Sequence, residues 1–220
     1  MQTNPTAHES PVSGSLRSAD DRAGRLVSAA YDLLDDEGLE GLTIRAVLAR
    51  TGLARRAFYD CFGGKDDLVL AVFEQTLRLA AGFFEQVAAQ ADSPLEALRQ
   101  IVSGIVMGPL GFHATLMNAT DRRSAALSQE HLRLAESRPE ELQKALSPLL
   151  DLIVRHIERG IAAGQFRQCD PALAARLVYN LVSTTVHTEL LSAQGLPPDA
   201  DRRKALAEEI WEFSRRALVA

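Results

Sequence analysis

Cysteine is close to absent. Cys61 and Cys169 are the only two in 220 residues, and no CxxC spacing relates them. A disulfide framework and a thiolate zinc site are thereby excluded, and a reducing cytoplasm is the compartment this usage fits. No apolar run approaches the roughly 20 residues that a bilayer-crossing helix needs. The N-terminus lacks the basic-then-apolar order of a secretion signal, so no membrane partner is expected. Catalytic signatures are missing too. The five histidines, His8, His113, His131, His156 and His187, sit in no HExxH or comparable ligand spacing. His187 and Glu189, like His156 and Glu158, lie two positions apart, which puts each pair on different helix faces. No GxSxG occurs. Gly64-Lys65 has Tyr59 where a phosphate loop needs glycine and Asp66 where it needs Ser or Thr. The glycines at 104, 108 and 111 follow no strand and open no dinucleotide signature. No catalytic residue, metal site or cofactor is expected.

What is present is an acidic chain with one basic window. Its 29 acids against 24 cations leave a net charge of −5, which discourages unspecific contact with nucleic acid. From 42 to 65, however, Arg45, Arg50, Arg55, Arg56 and Lys65 face the single acid Asp60, five against one and a local balance of +4. Local positive charge on an acidic chain is the footprint of phosphate contact. A solvated helix face would explain the charge alone, but not its coincidence with a turn and a cap.

That window lies inside LEGLTIRAVLARTGLARRAFYDCFGGKDDL, residues 39 to 68. Thr43 is placed to cap a helix in which Ile44, Val47 and Leu48 recur at core-facing spacing. Gly52 permits the left-handed conformation that ends a helix and turns the chain. ARRAFYDCF then resumes as a second short helix with Phe58 and Phe62 on its buried side. Two short helices about a glycine turn fit a helix-turn-helix, whose second helix enters the DNA major groove.

On these residues the chain from about Arg25 to Phe73 resembles the DNA-binding domain of the TetR family of bacterial transcriptional regulators. The resemblance rests on Arg25, Ala29-Ala30, Gly38, Leu42-Thr43, Gly52-Leu53, Phe58-Tyr59, Phe62, Lys65 and Leu68 in that order. Leu48 stands where the family usually has Ala, and Cys61 where His is common; neither removes a DNA-facing group. The resemblance covers about a quarter of the chain by motif, and the rest matches only as an all-helical tail of suitable length.

Outside the window the periodicity is helical throughout, with no strand pattern, internal repeat or sustained heptads. The fold class expected is all-α. Residues 1–18, rich in Ser, Thr, Pro and Gly, are expected to be a disordered arm. Residues 19–66 should form the DNA-binding domain, and 67–220 a larger bundle joined to it by the helix that follows Gly63-Gly64. That helix should carry Leu68, Val72, Leu79, Phe83 and Val87 on one face. GPLG at 108 to 111 should break the next helix, and Pro148 should kink or restart a later one. The stretch from Pro171 to Gln194 is too apolar to face solvent and should be buried on two sides.

The resemblance implies a regulator, here expected to be a repressor, that binds a double-stranded operator as a homodimer and leaves it when a small effector binds. It implies that Thr43 and Lys65 touch phosphates, that Tyr59 touches the backbone or a thymine methyl, and that Arg45, Arg55, Arg56 and Ala57, flanked by Ile44 and Ala54, read base edges. Arginine suits bidentate contact with guanine, so GC-containing half-sites are expected. The dimer interface implied is a four-helix one from 171–194 and 202–218, with Leu177, Leu181, Val182, Leu190, Leu206, Ile210 and Phe213. An effector pocket is implied in the larger domain. Phe83, Ile105, Met107, Phe112, Leu116, Met117, Ile153 and Tyr179 offer an apolar lining, and His113, Asn180, Thr184 and His187 the polar contacts. No acid is clearly inward-facing, which favours a neutral or anionic lipophilic effector. A helical protein-binding adaptor is the alternative, but it leaves the cluster of Arg55, Arg56, Tyr59 and Lys65 unexplained.

Overall fold

The computed structural model describes residues 11–112, 121–192 and 200–219, and among these residues every regular element is a helix. In chain order they are α1 (Pro11–Gly41), α2 (Ile44–Thr51), α3 (Arg55–Tyr59), α4 (Lys65–Ala88), α5 (Pro94–Phe112), α6 (Asp121–Ser137), α7 (Pro139–Ala162), α8 (Pro171–Ser192) and α9 (Ala200–Leu218). The all-α class is as expected. The chain divides into two compact units, Met1–Ala71 and Val72–Ala220, with the division inside α4.

In the first unit, α1 buries Leu26, Ala30, Leu33 and Leu34, the positions its 3.6-residue period selects. It begins at Pro11 and so takes in 11–18, assigned above to an arm; residues 1–10 lie outside the described residues. Proline is tolerated in a first helical turn because its absent N–H would be unpaired there anyway. At Gly38 the backbone leaves helical geometry at φ 70° and ψ −162°. Thr43 Oγ1 accepts the Ala46 N–H at 3.1 Å and caps α2. Gly52, at φ 68°, closes α2 by donating its N–H to the Leu48 carbonyl at 2.9 Å. Val47 and Phe58 are fully buried. Ile44 and Leu48 are only half-buried, and Phe62 falls after α3 with its ring 5.8 Å from that of Phe58.

The second unit is built on α5, which packs against α7, α8 and α9, while α7 also lies along α8. Leu98, Ile101, Val102 and Val106 of α5 are buried with Leu149, Leu152, Ile153 and Ile157 of α7. Glycine gives way to a ring in two places. A Cβ at Gly104 would collide with Phe84, and one at Gly160 with Phe166. Phe166 is held there by its own N–H, which donates to the Gly160 carbonyl at 3.1 Å.

Three expectations need correction. α5 runs through GPLG to Phe112, and α7 runs through Pro148 without a restart. Proline's φ is compatible with a helix, so packing can carry the lost backbone bond where local preference would stop. On α4, Leu79 is 52% exposed, and the later buried positions are Leu77, Ala81, Phe84 and Ala88. The helix offers two apolar stripes, and its neighbours select the other one there. α8 buries Ala175, Val178, Tyr179 and Val182 and leaves Leu173 and Leu177 exposed, so the chain itself covers one side of that helix.

Candidate functional site

The cations of the basic window differ in what holds them. Arg45, Arg55 and Arg56 are exposed, as are Thr43 and Ala54; Ile44 and Ala57 are half-buried beside them. Neither Arg45 nor Arg56 has a side-chain partner among the described residues. The Arg55 guanidinium lies 5.6 Å from the Tyr59 ring centroid and donates to its hydroxyl at 3.3 Å. That bond raises its pKa further above the arginine range. Tyr59 is itself braced edge-on against Phe58 at 5.4 Å and is 46% exposed. The 3.6-residue period of a five-residue helix explains the division, for Phe58 takes the one inward position.

Arg50 and Lys65 turn back onto their own unit. Arg50 forms an ion pair with Asp36 of α1 at 2.8 Å, and that hydrogen bond raises its pKa. Lys65 is half-buried and donates to the Leu39 carbonyl at 3.4 Å, and Arg25 donates to the Thr51 carbonyl at 2.8 Å. Charge counting grouped the five cations. It had no means of seeing Asp36, which reaches the window only once α1 folds beside α2.

In the second unit the pocket candidates scatter. Ile153 and Tyr179 are buried, while Phe83, Ile105, Met107 and His187 are half-buried. Asn180 and Thr184 are exposed, so they are not interior polar contacts; they lie on the side of α8 away from Val178 and Val182. His113, Leu116 and Met117 lie outside the described residues, as do the side chains of Phe112 and Leu190. The polar group that does assemble includes a histidine not singled out above. The His131 ring of α6 lies 6.3 Å from Tyr179 of α8 and 5.7 Å from Phe73 of α4. Burial, and then the nearby His187, lowers the His131 pKa; burial raises that of the Tyr179 phenol. Both ring nitrogens of His187 are sealed from solvent, with no hydrogen-bond partner among the described residues. A helical repeat cannot reveal which residue of another helix will meet it, so His131 carried no signal.

Of the interface candidates, Leu177 and Phe213 are 59% and 66% exposed, and Leu181 and Leu206 half-buried. Val182 and Ile210 must be removed from that outer face. They are 0% and 5% exposed in the chain's own core.

Two family models match. Residues 26–72 fit that of bacterial regulatory proteins of the tetR family, and residues 117–216 that of the AefR-like transcriptional repressor C-terminal domain. The HTH-type transcriptional repressor KstR2 of Mycolicibacterium smegmatis is 26% identical over 164 residues, covering 74% of this chain and 75% of that protein. The transcriptional regulator FadR from Bacillus subtilis, solved in complex with stearoyl-CoA, superimposes with a TM-score of 0.66 at 18% identity, over 87% of this chain and 96% of that one. A TetR-family regulator from Agrobacterium tumefaciens does so with a TM-score of 0.60 at 21% identity, over 92% of this chain and 100% of that one.

Proposed function

Since this chain belongs to the TetR family of bacterial regulatory proteins, we propose how it acts as a DNA-binding regulator: a homodimer sets α3 of each copy into successive major grooves of a palindromic operator, and represses until a small lipophilic effector enters the second unit. The observation that carries this is the set Arg45, Arg55, Arg56 and Tyr59, exposed on a capped helix-turn-helix of a chain whose net charge is −5. Thr43 and Lys65 stand at helix starts, where phosphates are welcome. The Lys65 ammonium has three donors and can keep the Leu39 carbonyl while taking a phosphate. Ala54 and Ala57 let the backbone of α3 approach the bases. Leu177 and Phe213 supply apolar surface for the second copy.

The effector half of the proposal draws on FadR, whose bound stearoyl-CoA shows that this fold admits an acyl ligand. Binding must favour a dimer geometry that fits the operator less well, since equal affinity for both forms shifts nothing. No catalysis is proposed, and the cytoplasm is the proposed compartment. Footprinting of the DNA upstream of the protein's own gene tests the reading. A protected palindrome, lost on adding a hit from a thermal-shift screen of lipophilic compounds, is the expected result. No protected site at low salt, with the protein folded, would favour the adaptor.

A further inference from the structure

We infer, resting on the reading that an effector enters the second unit, that His131, His187 and Tyr179 form a seat for the carboxylate head of an apolar guest. Three helices bring the parts together. α6 supplies His131, α8 supplies Tyr179 and His187, and Phe73 of α4 closes against the His131 ring at 5.7 Å. Two imidazoles lie close enough to repel one another, and both nitrogens of His187 are out of solvent with no hydrogen-bond partner among the described residues. Buried polar atoms are rarely left unpaired unless they serve something else.

The donor count selects the guest. Burial raises the Tyr179 pKa and keeps the phenol protonated, hence a donor. Each imidazole contributes at least one N–H and, when protonated, two. A set made of donors suits a group that only accepts, and a carboxylate offers two oxygens with about four acceptor sites. A cation would meet two imidazoles, and among the described residues no acid acts on His131. Three acids of these helices are already matched, Glu74 with Arg78, Glu130 with Arg133 and Glu189 with Arg202, at 2.7, 2.7 and 2.9 Å. His187 is the one titratable neighbour whose field reaches His131 among the described residues. Phe73, packed edge-on against the His131 ring, offers the apolar body a surface.

A distinctive consequence is proton uptake. Burial and His187 hold His131 below the ordinary imidazole range, so it is neutral near pH 7. A carboxylate beside it favours the charged form. The guest therefore enters together with a proton drawn from solvent and held on an imidazole nitrogen, and the pair is left without net charge.

Calorimetric titration of the full-length protein with decanoate and with decanamide tests this, run near pH 7.5 in phosphate and in Tris, whose ionisation enthalpies differ. Decanoate should bind with uptake of about one proton per site, and decanamide with none. His131→Asn and His187→Asn should each weaken decanoate by about tenfold or more and leave decanamide within about threefold, and His131→Asn should also abolish the uptake. If either variant fails to fold by circular dichroism, histidine ring signals of the wild type decide. At least one imidazole should titrate at higher pH with decanoate bound, and if none moves the inference is wrong. Decanoate bound without proton uptake, or equally well by His187→Asn, overturns the carboxylate seat and leaves the effector reading intact. Failure of both probes to bind also overturns the seat. The effector reading falls separately, if no lipophilic compound releases operator DNA.

Discussion

Arg56 has no carboxylate partner among the described residues, whereas Arg50 is tied to Asp36 at 2.8 Å. Truncating them should have unequal effects. Arg56→Ala should cost about 1–3 kcal/mol of specific binding and relax preference at particular base pairs. Arg50→Ala should change specific binding by less than about 0.5 kcal/mol, because a charge already paired has little to offer a base. Gel-shift titration on the footprinted operator and on single-base variants of it separates the two. Histidine sets a second expectation. Burial, then Arg159 and Arg155, lowers the His156 pKa, with Glu85 pulling the other way; burial and His187 lower that of His131. In the unfolded chain each imidazole returns to about 6.5. As pH falls through that value, the unfolded chain takes up protons that the folded chain refuses. Stability present above about pH 6.5 is therefore lost below it, by at most about 1.4 kcal/mol per pH unit for each imidazole. Thermal melts from pH 7.5 down to about 5.5 should show a falling Tm. His156→Leu should flatten part of that fall, and an unchanged slope would mean that another group governs it.

Helix ends were legible because their cause is local. Thr43 was placed as a cap and binds the Ala46 N–H; Gly52 was placed at a turn and has φ 68°. Asp170 caps α8 in the same way, accepting from Ala172 and Leu173 at 2.9 and 3.2 Å. Helix interiors were less legible. GPLG read as a break and Pro148 as a kink or restart, yet α5 passes through the one and α7 continues through the other, since packing from distant parts of the chain decides whether a lost backbone bond is borne. The Gly160 socket is a further product of tertiary contact, with Phe166 only 3% exposed and unable to withdraw into solvent. Gly160→Ala should destabilise by about 1–3 kcal/mol and lower Tm by roughly 2–12 °C. Gly82→Ala, where a Cβ meets nothing within 4 Å, should be neutral or slightly stabilising because alanine favours helix. Melting both variants against wild type checks the pair, and equal losses would refute the socket.

At the scale of the assembly, the apolar character of α8 pointed to a second copy without revealing which side was free. Val182 and Leu177 look alike in the sequence, yet one is sealed in the core and the other is 59% exposed. Leu177→Glu and Phe213→Glu should therefore give a folded monomer, since each adds a charge only where a partner would bury it. Val182→Glu should instead unfold the second unit. Sedimentation velocity with circular dichroism reads both properties. A dimeric Leu177→Glu/Phe213→Glu double variant would place the interface elsewhere. The polar group around His131 was hidden for the same reason: it is assembled from α4, α6 and α8, and no spacing along one helix encodes it.

Asp36 gives the pairing of Arg50 a thermodynamic meaning. Each cation that takes a phosphate releases condensed counterions, and the slope of log K against log salt counts such events at about 0.9 apiece. Arg50, neutralised by its own chain, is left out of the count. Asp36→Asn would return it, steepening the slope by about one unit per protomer. The gain would fall on every DNA sequence alike, because phosphates are the same everywhere. The variant should thus hold random DNA more tightly while its preference for the operator shrinks, and a chromosome offers vastly more random sites than operators. By withholding one positive charge, that carboxylate shortens the time the regulator spends bound to the wrong DNA.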